Sequence, residues 1–347
     1  MPKVTIDDVA ARAGVSIKTV SRVVNQEPNV RDATREKVEQ AIAELNYQPN
    51  QAARTLASHQ SRLISLVYED PSLYVSPSSG FIVRMQQGAL RVCHKAGYAL
   101  LIHPLRYQEK GAAENLTRHI EIVRPDGVIL AAPLSNVEAL AQTVENSGTP
   151  FVRISPGTSR CKQFSVSTND REISAEMTRY LASLGHKRIA FIAGDPVHKA
   201  VGHRLLGYKD GLADSGLPID EELIGQGDNL IDSGEVAAEK LLGMANRPTA
   251  IFAANDDMAA GVVRVADRLG IKVPDELSVT GCDDVALAQL IYPALTTINQ
   301  PLASMADAAV TALIESIQSK QEAKGADIVP ADIRVRESTA PPPVIQS

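Results

Sequence analysis

The first 45 residues alternate apolar and polar positions with the spacing of short helices. Thr5 is placed to cap a first helix, and Gly14 suits the left-handed turn that ends it. A second helix follows Ser16, and a third begins at Asp32 or Thr34. The inward-facing residues of the three helices are Ile6, Val9, Ala10, Val20, Val23, Val24, Val38, Ile42 and Leu45. Two short helices joined by a glycine turn and closed by a third predict a helix-turn-helix unit.

The second helix carries a polar, basic outward face, and such a helix lies in the major groove of DNA. Ile17, Lys18 and Arg22 are the base-reading candidates, because cationic groups donate to guanine and an apolar side chain contacts the thymine methyl. The candidates for phosphate contacts are Thr5, Ser16, Ser21, Asn25, Arg31 and Thr34. A capped helical hairpin from an ordinary protein core is the alternative.

Residues 47–60 are predicted to be a linker. Pro49 breaks the preceding helix, and Asn50 to Ala57 holds helix formers for two turns, which is too short for a stable isolated helix. A segment that is helical only when packed could serve as a switch. A flexible tether is the alternative.

Beyond Arg62, short apolar strands alternate with helices, as in parallel sheets covered on both faces. The predicted strands are Leu63 to Val67, Tyr98 to Ile102, Gly127 to Leu130, Phe151 to Ile154, Phe164 to Val166, Ile189 to Ala193, Ala250 to Ala254, Leu277 to Thr280, Leu295 to Gln300 and Ile333 to Val335. The predicted helices lie near 81–96, 111–122, 136–146, 171–184, 200–214, 232–243, 256–268 and 302–318. The series restarts at Phe164, which predicts two doubly wound α/β lobes.

The net charge of −6 by itself argues against a nucleic-acid partner. The second helix nevertheless carries only basic charges, Lys18 and Arg22, so we expect DNA affinity to depend on a dimer that contributes two such faces. The N-terminus lacks the apolar core of a signal peptide, and no run reaches the roughly 20 apolar residues of a membrane helix. A cytoplasmic location without a membrane partner is expected, and the three scattered cysteines suit reduced thiols.

The chain resembles the LacI/GalR family of bacterial repressors over nearly its whole length. The matching segments are TIDDVAARAGVS, TVSRVVN, TREKVEQAIAELNYQPN, AARTLAS, LGHKRIAFIAGD, RLLGY, FAANDDMAAGV, SVTGCDD, PALTTINQ and RVREST. The resemblance implies a helix-turn-helix domain over residues 1–46, a hinge helix and linker over 47–61, and an effector-binding, dimerising core over 62–343. That core would have a periplasmic-binding-protein-like fold, with lobe 1 at about 62–163 and 298–327 and lobe 2 at about 164–297 and 328–343.

The resemblance also implies roles for individual residues. In the family, the hinge helix pairs with its dimer mate in the minor groove and inserts a leucine, here Leu56; Asn50 and Ala53 lie in the same segment. Arg204, Asn255 and Asp283 match effector-contacting positions, and their donors and acceptors suit a polyhydroxyl ligand. The candidates in the first lobe are Tyr74, Phe81 and Ser155. A helix cap or a structural salt bridge is the alternative for each second-lobe residue, and Asp256 is expected to be a cap.

Two departures from the family pattern leave the specificity open. The segment from Asp70 to Gly80 is rich in serine and proline, unlike the commoner family pattern, and it would form part of the effector site. Residues Ile17 and Lys18 occupy positions that vary with the operator. The resemblance therefore supplies neither the effector nor the operator sequence.

We expect a dimeric, sequence-specific repressor that a small-molecule inducer, a sugar or glycoside, releases from a palindromic operator. A corepressor-dependent regulator is the alternative within the family. A solute-binding protein for transport is opposed by the absent signal peptide and by the N-terminal helical unit. A sugar-processing enzyme is opposed by the absence of phosphate-binding loops and of catalytic or metal-binding groupings, so no enzymatic activity and no cofactor are expected. The chain stops at Ser347 without a heptad segment, which favours a dimer.

Overall fold

The computed structural model describes residues 4–24, 29–47, 60–69, 80–157 and 162–343. The chain divides into two units, Met1–Arg62 and Leu63–Ser347. The first contains helices α1 to α3, which are Ile6–Ala13, Ile17–Val24 and Asp32–Glu44. Thr5 and Asp8 form a reciprocal capping box before α1, and Gly14 ends this helix with φ 65°. These caps and the buried side chains of Val9, Val20 and Val38 give the helix-turn-helix unit that the sequence pattern predicts.

The second unit contains strands β1 to β12 and helices α4 to α12. The strands are Leu63–Glu69, Ala99–Leu105, Gly127–Leu130, Phe151–Ile154, Ser165–Ser167, Ile189–Ala193, Ile224–Gln226, Ala250–Ala253, Ser278–Cys282, Thr296–Asn299, Ala326–Ile328 and Asp332–Arg334. The α-helices are Gly80–Lys95, Ala112–Val123, Glu138–Ser147, Asp170–Ser183, Lys199–Asp214, Ile231–Leu242, Asp256–Arg268, Ala286–Leu290 and Leu302–Ser319.

The strands form two six-stranded sheets, one in each lobe. The first sheet has the order β11-β5-β4-β3-β1-β2, and all of its neighbouring strands are parallel. The second has the order β12-β10-β9-β8-β6-β7 and is parallel apart from the β12 edge. Apolar side chains fill both faces of each sheet, with Phe191 edge-on to Phe252 at 5.2 Å between ring centroids in the second lobe. The prediction of two doubly wound lobes is confirmed.

The assignment of two strands to their lobes was wrong. The strand near Phe164 was expected to begin the second lobe, but β5 pairs with β4 and β11 in the first sheet. The predicted boundary at residues 297 and 298 falls inside β10, which pairs with β9 and β12 in the second sheet. The apolar pattern of a strand identifies the strand but not its neighbours, so alternation along the chain could not place these two.

Three crossovers connect the lobes in the described part of the core, at residues 168–169, 300–301 and 329–331. Hydrogen bonds tie the first crossover to the third. The hydroxyl of Thr168 donates to the carbonyl of Val329 at 2.8 Å, and the amide of Ala331 donates to Oδ1 of Asn169 at 2.8 Å. The first and third crossovers are therefore bonded to each other between the two packed lobes.

Helix α8 packs closely on α7 at Gly207, so a larger side chain at this position is predicted to lower the stability of the chain. A Cβ there would lie 2.1 Å from the carbonyl oxygen of Arg171, whereas a Cβ at Gly202, on the same helix, would meet nothing within 4 Å. We expect Gly207→Ala to lower the free energy of unfolding by about 1–3 kcal/mol through overpacking. Gly202→Ala should raise it by up to about 1 kcal/mol, because alanine favours helix. Urea unfolding followed by far-UV circular dichroism measures both, and equal effects of the two substitutions would contradict the packing argument.

Candidate functional site

The outward face of α2 is the candidate DNA-reading surface. Ile17 is 48% exposed at the start of the helix, and Lys18 and Arg22 are also exposed. Val20 and Val23, on the opposite side, are buried in the head. The helix thus presents one apolar and two cationic side chains to solvent, a combination suited to base edges in a major groove.

The phosphate-contact candidates of the head differ in how their side chains are engaged. The Thr5 hydroxyl belongs to the capping box with Asp8, and the Ser16 hydroxyl lies 2.9 Å from that of Thr19 while accepting the Thr19 amide at 3.2 Å. These two hydroxyls therefore cap α1 and α2. Arg31 is exposed before α3, and Ser21 and Thr34 are half-buried. The remaining predicted residues, Asn25, Asn50, Ala53, Leu56 and Tyr74, lie outside the described residues.

Arg204 is the buried charge at the centre of the second-lobe part of the candidate cleft. Its side chain on α8 is only 3% exposed. Nε donates to Oδ1 of Asp170 at 2.9 Å, Nη1 donates to the carbonyl of Ala254 at 2.6 Å, and Oδ1 of Asp283 lies 3.9 Å from Nη1. A buried guanidinium requires such partners, because an unpaired charge away from water is strongly unfavourable. Arg204 thus forms the buried salt bridge that was the alternative to an effector contact, and its contact with an effector stays a prediction.

Asp283 lies directly after β9, in an unusual backbone turn. Its φ is 122° and that of Asp284 is 54°, both left-handed values that favour glycine. The buried Asp283 carboxyl accepts a hydrogen bond from Nε2 of Gln300 at 2.5 Å. Burial raises the pKa of Asp283 to about 6, against the opposing effect of the Arg204 charge. The carboxylate is therefore held in place and can change its charge near neutral pH.

Asn255 is the cap of α10, which is the alternative that the sequence offered for it, and the expectation that Asp256 is the cap was wrong. Its Oδ1 accepts the amide of Met258 at 3.0 Å, and its Nδ2 donates to the carbonyl of Asn229 at 2.9 Å. The expected cap, Asp256, instead accepts from the Val285 amide at 3.0 Å and from the Thr297 hydroxyl at 2.5 Å. Asp256 thus ties α10 to the segment after β9. The sequence placed both residues at a strand end but did not show which one would bond the helix amides.

His198, which the sequence reasoning missed, faces Phe81 across the lobes. The two rings are edge-to-face, with centroids 6.5 Å apart, and His198 is buried just before α8. Its Nδ1 has no hydrogen-bond partner among the described residues. Burial, and then the charge of Arg204, lowers the pKa of His198 to about 3, so the ring is neutral. The sequence carried one signal for His198, because this residue follows the end of β6 close to Asp195, and ligands of open α/β sheets bind beyond the carboxyl ends of strands.

Ser155 lies on another side of the cleft. It follows β4 with φ 50°, and its carbonyl accepts from Nδ2 of Asn136 at 3.2 Å. It lines a cavity of about 360 Å³ between the lobes, together with Asp170, the partner of Arg204. Phe81, Asn255 and Asp283 are not among the residues that line this cavity. Asp170 therefore lines the cavity, and its ion pair with Arg204 connects it to the Asp283 turn.

A hydrogen bond also joins the lobes at the end of β2. The hydroxyl of Tyr107 donates to Oδ2 of Asp195 at 2.5 Å, and Oδ1 of the same carboxylate accepts the Val197 amide at 2.8 Å. Burial, followed by the proximity of Asp195, raises the pKa of Tyr107, so the phenol remains a donor. This contact spans the first and second lobes where their strands end.

The described residues contain no group of three or more histidine, cysteine, aspartate or glutamate side chains that could hold a metal ion. No helix in these parts of the chain is long and apolar enough to cross a membrane.

A helix-turn-helix unit joined to a two-lobed α/β core defines a ligand-controlled class of DNA-binding regulators, and the comparisons with known proteins agree. Residues 5–50 match the model for bacterial regulatory proteins of the lacI family, and residues 178–339 match a periplasmic binding protein-like domain. The chain belongs to the LacI family and is a DNA-binding transcriptional repressor rather than an enzyme.

The relatives cover the chain almost completely. It is 34% identical over 344 residues to the HTH-type transcriptional regulator DegA of Bacillus subtilis (strain 168), covering 98% of this chain and 99% of that protein. It is 33% identical to the HTH-type transcriptional repressor PurR of Vibrio parahaemolyticus serotype O3:K6 (strain RIMD 2210633), over 96% and 98% of the two chains.

Two solved structures extend the comparison to the whole fold. A complex of the transcriptional regulator CelR with cellobiose has a TM-score of 0.74 at 31% identity, over 97% of this chain and 100% of that one. The lac repressor dimer bound to operator and the anti-inducer ONPF has a TM-score of 0.79 at 30% identity, over 97% and 99%. The resemblance seen in the sequence motifs is thereby confirmed.

The partly buried carboxyl of Asp257, in the first turn of α10, is expected to make the stability of this chain depend on pH. Burial, and then the Asp283 carboxylate, raises the pKa of Asp257 to about 7. The stability that the protonated carboxyl contributes is fully present below its unfolded pKa, near 4, and is lost as the pH rises through 7. An asparagine side chain is neutral throughout this range. We therefore expect the free energy of unfolding of Asp257→Asn to rise by about 1–3 kcal/mol relative to that of wild type between pH 5 and pH 8.

Urea unfolding at a series of pH values measures this difference. Asp267→Asn, at an exposed position on the same helix, is the matched control and should show little pH-dependent change relative to wild type. If the curves for the two variants run parallel from pH 5 to pH 8, the buried-carboxyl argument is wrong.

Proposed function

We propose that this repressor acts as a dimer and is released from a palindromic operator when a sugar or glycoside binds between the lobes of its core. One observation carries the proposal. The same chain holds an exposed reading face on α2 and, in its core, a cavity of about 360 Å³ between the lobes, which Asp170, the buried partner of Arg204, helps to line. Each part has a task in a ligand-controlled repressor.

The chemistry of the cleft favours a polyhydroxyl ligand. Asp283 offers a carboxylate to accept from hydroxyls, and the neutral ring of His198 offers Nδ1. The aromatic ring of Phe81 supplies an apolar wall on the first lobe. The similarity to the CelR–cellobiose complex supports a carbohydrate, since that regulator shares the fold over the whole chain.

A dimer is supported by apolar side chains exposed at the end of α11. Leu290 is 80% exposed, and Tyr292, two residues later, is 88% exposed. Large exposed apolar side chains that lie close together mark protein–protein contacts. The lac repressor in the matching structure is a dimer on its operator. A two-fold dimer presents two copies of α2, which a palindromic operator matches in symmetry.

The coupling that we propose runs through residues 47–61. A ligand that bridges the lobes favours one lobe arrangement, and this shift in population would separate the paired hinge segments of the dimer. Leu56 would then leave the minor groove, and Asn50 and Ala53 would lose their DNA contacts. These three residues lie outside the described residues, so their part of the proposal rests on the family resemblance.

Selection of operators from randomised duplex DNA tests the proposal. The full chain is incubated at near-physiological salt, alone and with a panel of mono- and disaccharides, including cellobiose, and of nucleobases. We expect a palindrome without ligand and its loss when one sugar is present. A palindrome that is recovered only with a ligand would establish a corepressor-dependent regulator instead. The absence of any enriched sequence would contradict sequence-specific DNA binding by this head.

The base-reading role of α2 is tested separately with two lysine variants. Lys18 and Lys37 are both exposed in the head, but Lys18 lies on the proposed reading face and Lys37 lies on α3. We expect Lys18→Ala to change the selected base at one position of each half-site, with a loss of about 1–3 kcal/mol in base discrimination at that position. Lys37→Ala removes the same charge and should leave the selected sequence unchanged. Identical palindromes from both variants would remove Lys18 from base reading.

A further inference from the structure

The side chain of Arg84 crosses from the first lobe to the second. It begins on α4, and its guanidinium makes three hydrogen bonds with second-lobe residues. Nη1 donates to the carbonyls of Asp283 and Asp284 at 3.0 and 2.9 Å, and Nη2 donates to Oδ1 of Asn299 at 3.3 Å. Two of these acceptors belong to the left-handed turn after β9.

That turn requires external support. Two consecutive non-glycine residues with positive φ are unfavourable and persist only when the surroundings hold them. The amide of Asp283 donates to the carbonyl of Ile298 at 2.8 Å, and Nη2 of Arg336 donates to Oδ1 of Asp284 at 2.5 Å. These two bonds come from within the second lobe. Arg84 adds two hydrogen bonds to the turn from the first lobe. Its guanidinium is charged, and charged donors make stronger hydrogen bonds than neutral ones.

The same turn presents the effector-site carboxylate. Oδ1 of Asp283 lies 3.9 Å from Nη1 of Arg204 and accepts from Gln300 at 2.5 Å, while its backbone carbonyl accepts from Arg84. A single residue therefore contacts the cleft through its side chain and the first lobe through its backbone. The start of α4 is also pressed against this segment, since a Cβ at Gly80 would lie 2.6 Å from Cβ of Val285.

We propose that Arg84 is a positioning residue of the effector site, which fixes the Asp283 carboxylate by holding its turn and in doing so holds the two lobes together. That a ligand binds at Asp283 rests on the proposed function, whereas the contacts of Arg84 do not depend on it. A ligand that engages Asp283 changes the turn, and Arg84 conveys that change to α4. Helix α4 is packed tightly on α12, where a Cβ at Gly88 would lie 2.1 Å from the carbonyl oxygen of Ala303.

The matched control for Arg84 lies on the same helix. Arg91 forms a hydrogen-bonded ion pair with Asp307 of α12, which belongs to the first lobe as well. Arg91→Met thus removes a guanidinium and an ion pair from α4 without breaking a contact between lobes. Arg84→Met removes the bonds between lobes, and Arg84→Lys keeps the charge with a single ammonium in place of the planar fork.

Hydrogen exchange of the full-length chain, without ligand or DNA, tests the proposal. In Arg84→Met we expect the amides of Asp283 and Val285 to exchange faster than in wild type by tenfold or more, as loss of charge-assisted hydrogen bonds implies. Arg84→Lys should show a smaller acceleration, and Arg91→Met none at these amides. Acceleration spread evenly over the core would indicate a general loss of stability and would overturn the positioning role. If the amides of this turn exchange in Arg84→Met at the wild-type rate, the positioning role is overturned as well.

Small-angle X-ray scattering of the same three variants tests the link between the lobes. Arg84→Met should have a larger radius of gyration than wild type, whereas Arg91→Met should not. Equal radii for the two methionine variants would contradict the link. Neither measurement uses a sugar or an operator, so failure here is distinguishable from failure of the proposed repressor mechanism. If Arg84→Met does not fold, the comparison of Arg84→Lys with wild type decides in both experiments.

Discussion

The cleft of this repressor depends on the buried guanidinium of Arg204. A charge that is almost fully removed from water must be paired, and its partners come from three different elements: Asp170 at the start of α7, the Ala254 carbonyl after β8 and Asp283 after β9. Meeting this requirement brings the carboxyl ends of neighbouring strands to one point. It also leaves Asp283 buried beside a fixed positive charge.

Two packed lobes joined by three crossovers are the physical basis of the ligand control that we propose. Each sheet is packed on both faces, so each lobe resists deformation. The contacts between lobes, such as Tyr107 with Asp195 and Phe81 with His198, lie where the strands end. In the function that we propose, a ligand in this region would change contacts in both lobes at once and would therefore bind different lobe arrangements with different affinities. Such a difference is what shifts the equilibrium.

The fold could be predicted from local patterns, since capping residues and helical spacing define the head, and apolar runs define the strands. Which strands pair could not be predicted from local patterns, because pairing depends on contacts between residues distant in sequence. The strand β5 was therefore assigned to the wrong lobe. In the cleft, Arg204 and Asp283 were found through their motifs. Which of Asn255 and Asp256 caps the helix depends on side-chain direction, and the contact of His198 with Phe81 depends on packing across the lobes. Spacing along the chain contains neither kind of information.

The central claim is that DNA binding and ligand binding are coupled in one chain, and reciprocity tests it most directly. The affinity of the full-length protein for its selected operator is measured with and without a saturating amount of the sugar that abolishes selection. The affinity for that sugar is then measured with and without saturating operator. Thermodynamic linkage predicts that both affinities fall by the same factor, typically about 5- to 150-fold. Sugar binding that leaves operator affinity unchanged would contradict the account.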